Sequence, residues 1–468
     1  MTASTPAVPR TARAAPRPRG APRGLLLFLC SLGVGLGGCL RPQGELADRL
    51  VIGEVMMRSE FAANLRALAL PGGRVSGTPN AARAEQFVID RLRTYGFERV
   101  WREPFEMWSW LVHDTRITVL GDPPRVLAGA VAMGRTESTP AEGVTAEVVD
   151  LGEGTDADFE ARAADLRGKI VLVRENRAAR GRRLRAALAH GAVGFLVMMP
   201  PDREPTIGNG HCTPRPQPAA VIPHDAELLA RLAAGEPVRV NMRLETENWL
   251  ARPSNIVAEL PGRGRHANEI VILGAHLDGW HLGEAALDNG SGAAAILETA
   301  RALRAIGWQP ARTVRFVWFM GEEHGLLGSK AYVTRHAAEL DRIVAMINVD
   351  MPGAPRKLLA FGHEELQELL AATARDLAAY ELEHAVTGLT GDWSDHAPFM
   401  RQGIPTLAVA GELGPGGKYY HLPGDTYETV DRRGTVQSSA VLAVLVRRLA
   451  DAPQRPGLRR ASTPEEVP

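Results

Sequence analysis

Apolar residues follow two rhythms along the chain. After the turn Ser76-Gly77-Thr78-Pro79-Asn80 they fall at helical spacing (Ala84, Phe87, Val88, Leu92) until Gly96, which predicts a helix over 81–95. Strands are predicted over 100–107 and 111–120. From residue 254 onward, short continuous apolar runs alternate with helical segments. Strands are expected over 270–276, 313–320, 342–349 and 404–410, and helices over 291–306 and 326–335. Continuously apolar strands separated by helices predict an α/β fold with a mixed, mostly parallel central sheet flanked by helices. The stretch 130–245 has another texture. Strands over 146–151, 166–173, 194–199 and 219–222 accompany one helix over 182–191 and a proline-rich loop over 200–218. This texture predicts a smaller, β-rich inserted domain. The expected organisation is a leader over 1–38, the first part of the main domain over 45–130, the insert over 131–250, and the rest of the main domain over 251–452. A tail over 453–468, rich in proline and charge, is expected to be unstructured.

Charge changes this picture only at the N-terminus. The 468 residues hold 54 basic and 54 acidic side chains, yet Arg10, Arg13, Arg17, Arg19 and Arg23 stand in the first 38 residues with no acid among them. The remainder is therefore acidic by about five charges and has no dominant basic face, so no nucleic-acid partner is expected. The arginines precede an apolar run over 24–36. It is too short to span a bilayer and suits the core of a signal peptide. The run ends in Leu36-Gly37-Gly38-Cys39, which resembles the bacterial lipobox. Cys39 is the expected lipidation site, giving an exported chain held to the cell envelope by an N-terminal lipid; a plain secretory signal and an uncleaved anchor are the alternatives. Cys30 lies in the leader, so only Cys212 would remain free and no internal disulfide is expected. Cys212 beside His211 is a poor ligand set and reads as a loop thiol.

Candidate chemistry gathers where predicted strands end. His276, the pair Glu322-Glu323 and Asp350 follow apolar strands, His421 lies in a Gly-rich loop after another, and Asp288 lies in the loop after the first. Open α/β sheets place their sites at these C-terminal ends. Imidazole and carboxylate together suit zinc, and a carboxylate can bridge two ions. Each residue also has an ordinary reading alone: Asp288-Asn289-Gly290 as a turn, Glu322-Glu323 as a helix start, either histidine as packed or exposed. Their joint occurrence in this order points to a metal site.

The segments that carry these residues are Gly274-Ala-His276-Leu-Asp278-Gly-Trp280, Ala286-Leu-Asp288-Asn-Gly-Ser-Gly292, Gly321-Glu322-Glu323, Asn348-Val-Asp350-Met351 and Tyr420-His421-Leu-Pro-Gly-Asp425-Thr426. Together they resemble the M28 zinc peptidases, over nearly the whole chain from 45 to 450. Leu166-Arg-Gly-Lys-Ile-Val-Leu-Val173 and Ala189-His-Gly-Ala-Val-Gly-Phe-Leu-Val197 resemble the protease-associated (PA) domain, a non-catalytic insert of exported peptidases. With that insert the chain looks closest to the carboxypeptidase Q branch, although aminopeptidases of the family can carry it too. The resemblance implies two zinc ions. Asp288 would bridge both, His276 and Asp350 would complete one, and Glu323 and His421 the other. It also implies Glu322 as general base, Asp278 as the carboxylate orienting His276, and a cis peptide between Asp288 and Asn289. His276 and Asp278 lie two apart at a strand end and can point the same way. Tyr420, with Tyr419, is a candidate donor to a tetrahedral oxyanion, and His396, in Gly391-Asp-Trp-Ser-Asp-His396, a candidate substrate contact, each against a packing role.

The expected activity is hydrolysis of a terminal bond of a peptide or dipeptide, by aminopeptidase or dipeptidase action. A homodimer is left open, as is the role of the insert. Two alternatives share the fold. A zinc-dependent glutaminyl cyclase would use one ion and lack the His276 and Asp350 pair, which is present here. A non-catalytic scaffold would have lost ligands or base, and none is lost. A serine hydrolase is disfavoured, because no Gly-x-Ser-x-Gly elbow appears at a strand–helix turn.

Overall fold

The computed structural model describes residues 44–207 and 217–460. Cys39, the rest of the leader, Cys212 and residues 461–468 lie outside the described residues.

An eight-stranded mixed sheet forms the centre of the larger domain. Its order is Arg99–Pro104, Ser254–Leu260, Thr313–Phe319, Ile270–His276, Ile343–Asn348, Thr406–Glu412, Ala354–Phe361 and His384–Leu389. The four strands from Thr313–Phe319 to Thr406–Glu412 run parallel, and those on either side of them reverse direction. Ile270–His276 is buried throughout, and its side chains alternate between the two faces of the sheet. Val271, Leu273 and Ala275 join the core beneath Gly292–Ala305 and Arg432–Asp451, and Ile270 and Ile272 join the core beneath Leu327–Arg335 and His396–Arg401. Helices on both faces explain why this strand is apolar on both sides up to His276.

A second eight-stranded sheet forms the insert. Its order is Arg125–Val126, Met107–Val119, Arg239–Ala251, Val144–Asp150, Ile170–Arg174, Gly194–Met198, Ala219–Ile222 and Val131–Ala132. The expected boundary at 131 is therefore too late. Met107–Val119 pairs antiparallel with Arg239–Ala251 from Met107↔Ala251 to Val119↔Val240, which assigns residues 107–130 to the insert. Alternation announces a strand but not its partner, and this partner lies more than 120 residues away.

The tail also departs from expectation over 453–460. Arg455 Nη2 donates to the Ile343 carbonyl at 2.9 Å, the Arg460 amide to the Gly403 carbonyl at 2.8 Å, and Arg312 Nη2 to the Gln454 carbonyl at 3.0 Å. Composition predicts disorder for such a segment, but its arginines and backbone hold it along the domain. Among the described residues, no helix is long and apolar enough to cross a membrane.

Candidate metal centre

His276 ends the central strand. Register places it opposite Phe319 on one neighbouring strand, with Gly274 opposite Asn348 on the other. Glu322-Glu323 and Asp350 follow those two neighbours directly, so all the groups emerge at one end of the parallel strands. Asp288 arrives from the loop after His276, whose Asp288–Asn289 peptide bond is cis, as expected.

The side chains form two overlapping groups that share Asp288. His276 Nε2 lies 3.2 Å from Asp288 Oδ1 and 3.3 Å from Asp350 Oδ1. His421 Nε2 lies 3.0 Å from Asp288 Oδ2 and 3.2 Å from Glu323 Oε2. Within each trio the candidate donor atoms lie within 4.8 Å of one another. Glu322 belongs to neither trio. It lines a cleft of about 660 Å³ together with Asp288, Glu323, Asp350, Tyr420 and His421.

Backbone and buried polar groups hold the loops in place. Asp278, fully buried, accepts from the amides of Glu322 (3.2 Å) and Glu323 (3.3 Å). It lies 3.6 Å from His276 Nδ1, so its closer hold is on the Glu322-Glu323 loop. Asn289 joins two ligand loops: its Nδ2 donates to the Val349 carbonyl (2.8 Å), and its Oδ1 accepts from the amides of Gly292 (2.9 Å) and Met351 (3.1 Å). A Cβ on Gly292 would run into Asn289 Oδ1 and the Val349 carbonyl, so this position requires glycine. Asp425 accepts from the amides of Leu287 (2.6 Å) and Asp288 (3.1 Å). Arg74, fully buried, donates to the carbonyls of Leu68, Leu277, Glu284 and Ala285. Ser394 Oγ donates to Asp350 Oδ2 at 2.8 Å. Ala285, Leu326, Met351 and His421, all non-glycine residues with positive φ, surround the cluster. Local strain of this kind concentrates at functional sites.

The electrostatics describe carboxylates and imidazoles that shift one another strongly, with His276 raised by Asp350 and Glu322 against its burial. Burial pushes the Glu322 carboxyl well above its ordinary range; His276 opposes this, and Glu323 and Asp350 add to it. Burial likewise raises Glu323 to about 7, against the pull of His421. Burial would depress His421, but Glu323 and Asp288 outweigh it and raise it to about 9. Glu323 Oε1 and His421 Nε2 are buried without a hydrogen-bond partner. Converging imidazole and carboxylate donors, some of them unpartnered, fit a divalent cation of the zinc class.

The seven residues expected to bind or support metal are thus brought together: His276, Asp278, Asp288, Glu322, Glu323, Asp350 and His421. Tyr420 also lies in the cleft, where its hydroxyl accepts from Arg177 Nη2 at 3.1 Å. His396 does not line this cleft. It is buried, bonds through Nε2 to the Gly391 carbonyl (3.0 Å) and stacks on Phe361. Asn289, Asp425 and Ser394 stood inside the quoted motifs without a role, because sequence spacing does not show which backbone groups a side chain will reach. Arg74 had no motif at all.

Donors of these kinds at the C-terminal ends of a parallel sheet define a metal-dependent hydrolase. Residues 255–446 match the sequence profile of Peptidase family M28, and residues 144–226 that of the PA domain. Carboxypeptidase Q of Bos taurus is 26% identical over 397 residues, covering 81% of this chain and 83% of that protein. Leucine aminopeptidase 2 of Trichophyton equinum is 26% identical over 463 residues, covering 90% of each. The crystal structure of a peptidase M28 precursor from Shewanella amazonensis superposes with a TM-score of 0.78 at 26% identity, covering 89% of this chain and 98% of that one. The chain is a metallo-exopeptidase whose residues 255–446 match Peptidase family M28 and whose residues 144–226 match the PA domain.

Proposed function

We propose that this protein hydrolyses a terminal peptide bond of a short peptide, with two zinc ions held in the two trios. The observation that carries this is the pair of donor trios sharing Asp288, with Glu322 free beside them in the same cleft. His276, Asp288 and Asp350 would hold one ion, and Asp288, Glu323 and His421 the other. When bound, the ions supply Lewis-acid polarisation of the scissile carbonyl and lower the pKa of a water. Glu322, which lies in the cleft outside both trios, would take the proton from the attacking water and pass it to the leaving amine. Asp278 keeps Glu322 and Glu323 in place through their amides. Tyr420 faces the cleft as a candidate oxyanion donor.

Within this reading, dipeptidase action is favoured by the charge on the insert side of the cleft. Arg177 and Arg185 line it, and among the described residues neither forms an ion pair, whereas Arg180 and Arg182 pair with Glu175 and Asp156. Unpaired guanidinium groups suit the free α-carboxylate of a short substrate. Lipidation of Cys39 belongs to the proposal as well; a Cys39→Ala variant that still incorporates labelled lipid would refute it.

The deciding experiment is zinc quantification with turnover of aminoacyl amides and unblocked dipeptides, beside a Glu322→Gln variant. Two zinc ions, turnover, and a variant that keeps its metal but is slowed about 10²–10⁴-fold support the proposal. One ion or none, with no turnover, would favour a cyclase or a non-catalytic scaffold.

A further inference from the structure

Among the described residues, the insert hydrogen-bonds to one histidine of the metal centre, His421. His421 Nε2 faces Asp288 and Glu323, so its other ring nitrogen, Nδ1, carries the hydrogen and donates to the Ile207 carbonyl at 3.1 Å. Ile207 belongs to the insert and is 1% exposed. Its side chain packs with Trp110 of the insert and with Val75 and Trp280 of the peptidase domain. Trp110 and Trp280 meet with ring centroids 4.9 Å apart, and Trp280 lies edge-on to His421 at 6.0 Å. A second contact reaches the same histidine. Tyr420 stacks on His421 with centroids 3.8 Å apart, and its hydroxyl accepts from Arg177 of the insert at 3.1 Å. Among the described residues, the groups beside His276 are Asp278, Asp288 and Asp350 of the peptidase domain.

We propose that the inserted domain is a positioning element for His421, and so tunes the Glu323–His421 half of the centre while leaving the His276–Asp350 half alone. A carbonyl that accepts from the remote nitrogen of a ligand histidine fixes its tautomer and ring orientation, and the loss of such a partner weakens metal binding. Here that carbonyl comes from a separate sheet, so the docking of two domains sets the geometry of one ligand. This rests on the two-ion reading above.

The test measures stepwise zinc affinities of the full chain by competition with a chelator. Ile207→Gly removes the side chain that anchors the carbonyl, and Arg177→Met removes the guanidinium but keeps its stem. Arg177 is exposed, so that variant leaves the fold intact. Lys169→Met, which breaks the ion pair with Glu147 elsewhere in the insert, is the control. The wild type is expected to bind two ions. Ile207→Gly weakens one of them about 10–100-fold and spares the other; Arg177→Met weakens the same ion by a smaller factor. Lys169→Met changes neither. The inference is overturned if both variants keep both affinities, if both ions weaken equally, or if the control behaves like the variants. A wild type that binds no zinc would instead overturn the metal-centre reading, and this one with it.

Discussion

Asn289→Ala is the substitution whose cost follows most directly from the structure. The side chain is completely buried and makes three hydrogen bonds, to the Val349 carbonyl and the amides of Gly292 and Met351. Alanine reaches none of these groups. Each buried polar group left unpaired costs about 1–3 kcal/mol, and the Gly292 amide keeps the Asn289 backbone carbonyl as an acceptor. The two groups left, the Val349 carbonyl and the Met351 amide, bracket the loss at about 2–6 kcal/mol. Relaxation of the loops brings the expected value to about 4 kcal/mol, near the upper end for single substitutions. The bonds also tie the Asp288 loop to the Asp350 loop, so zinc affinity is expected to fall about 10–100-fold. Urea denaturation with and without chelator separates the two effects: the stability loss shows in the metal-free chain, and the affinity loss adds to it when zinc is present. A loss under about 1 kcal/mol, with zinc affinity unchanged, would refute the view that Asn289 joins the two ligand loops.

Two pH dependences follow from buried carboxylates. Burial would raise the pKa of Glu103, but the donors His336 Nε2 (2.9 Å) and Trp101 Nε1 (2.8 Å) outweigh it and hold it below the ordinary range. Its folded value is then below its unfolded value of about 4.3, so its stabilisation is present above that pH and is lost as pH falls through the folded value. Glu103→Gln should flatten the loss of stability on acidification, measured as the urea midpoint against pH; an unchanged slope counts against this role. Glu323 behaves in the opposite sense, since burial raises it to about 7. Its contribution in the metal-free chain is present at low pH and is lost as pH rises through about 7, an effect on the order of a few kcal/mol that bound zinc should remove. Equal pH profiles with and without zinc would contradict it.

How much of this was legible in the sequence depended on distance along the chain. The central strand is predicted over 270–276 and observed as Ile270–His276, because a continuous apolar run bounded by polar turns needs no partner to be recognised. His276, Glu323 and Asp350 were readable because each sits at or just after a strand end, whereas Asp288 and His421 lie deeper in loops and joined the set through the resemblance of their motifs to the M28 peptidases. The 107–119 strand was legible as a strand but not as part of the insert, since its assignment rests on pairing with Arg239–Ala251. The tail over 453–460 read as unstructured because composition reports the absence of apolar residues, not arginines reaching for distant carbonyls. Asn289, Asp425 and Arg74 act on backbone groups of other loops, and no spacing rule shows that. Ile207 was hidden for the same reason, more than 200 residues from His421.

These unread residues share a purpose. Asp278, Asp288, Glu323 and Asp425 are all buried around one point, with Glu322 and Asp350 at the cleft. Arg74 is the buried cation beside them, and burial lowers its pKa to about 10 although Asp425, Asp278, Asp288 and Glu323 favour its charge. Its donors are directed at four carbonyls, so it braces the loops without ion-pairing to a carboxylate. Buried carboxylates that share a site are costly unless positive charge offsets them, and here His276 and His421, both raised by these carboxylates, supply part of it. The amides that Asp278 and Asp425 accept from explain how the loops hold that shape in advance: backbone donors fix each acidic loop without neutralising the ligand carboxylates. The loops thus hold these donors convergent, the arrangement that the proposed zinc ions would need.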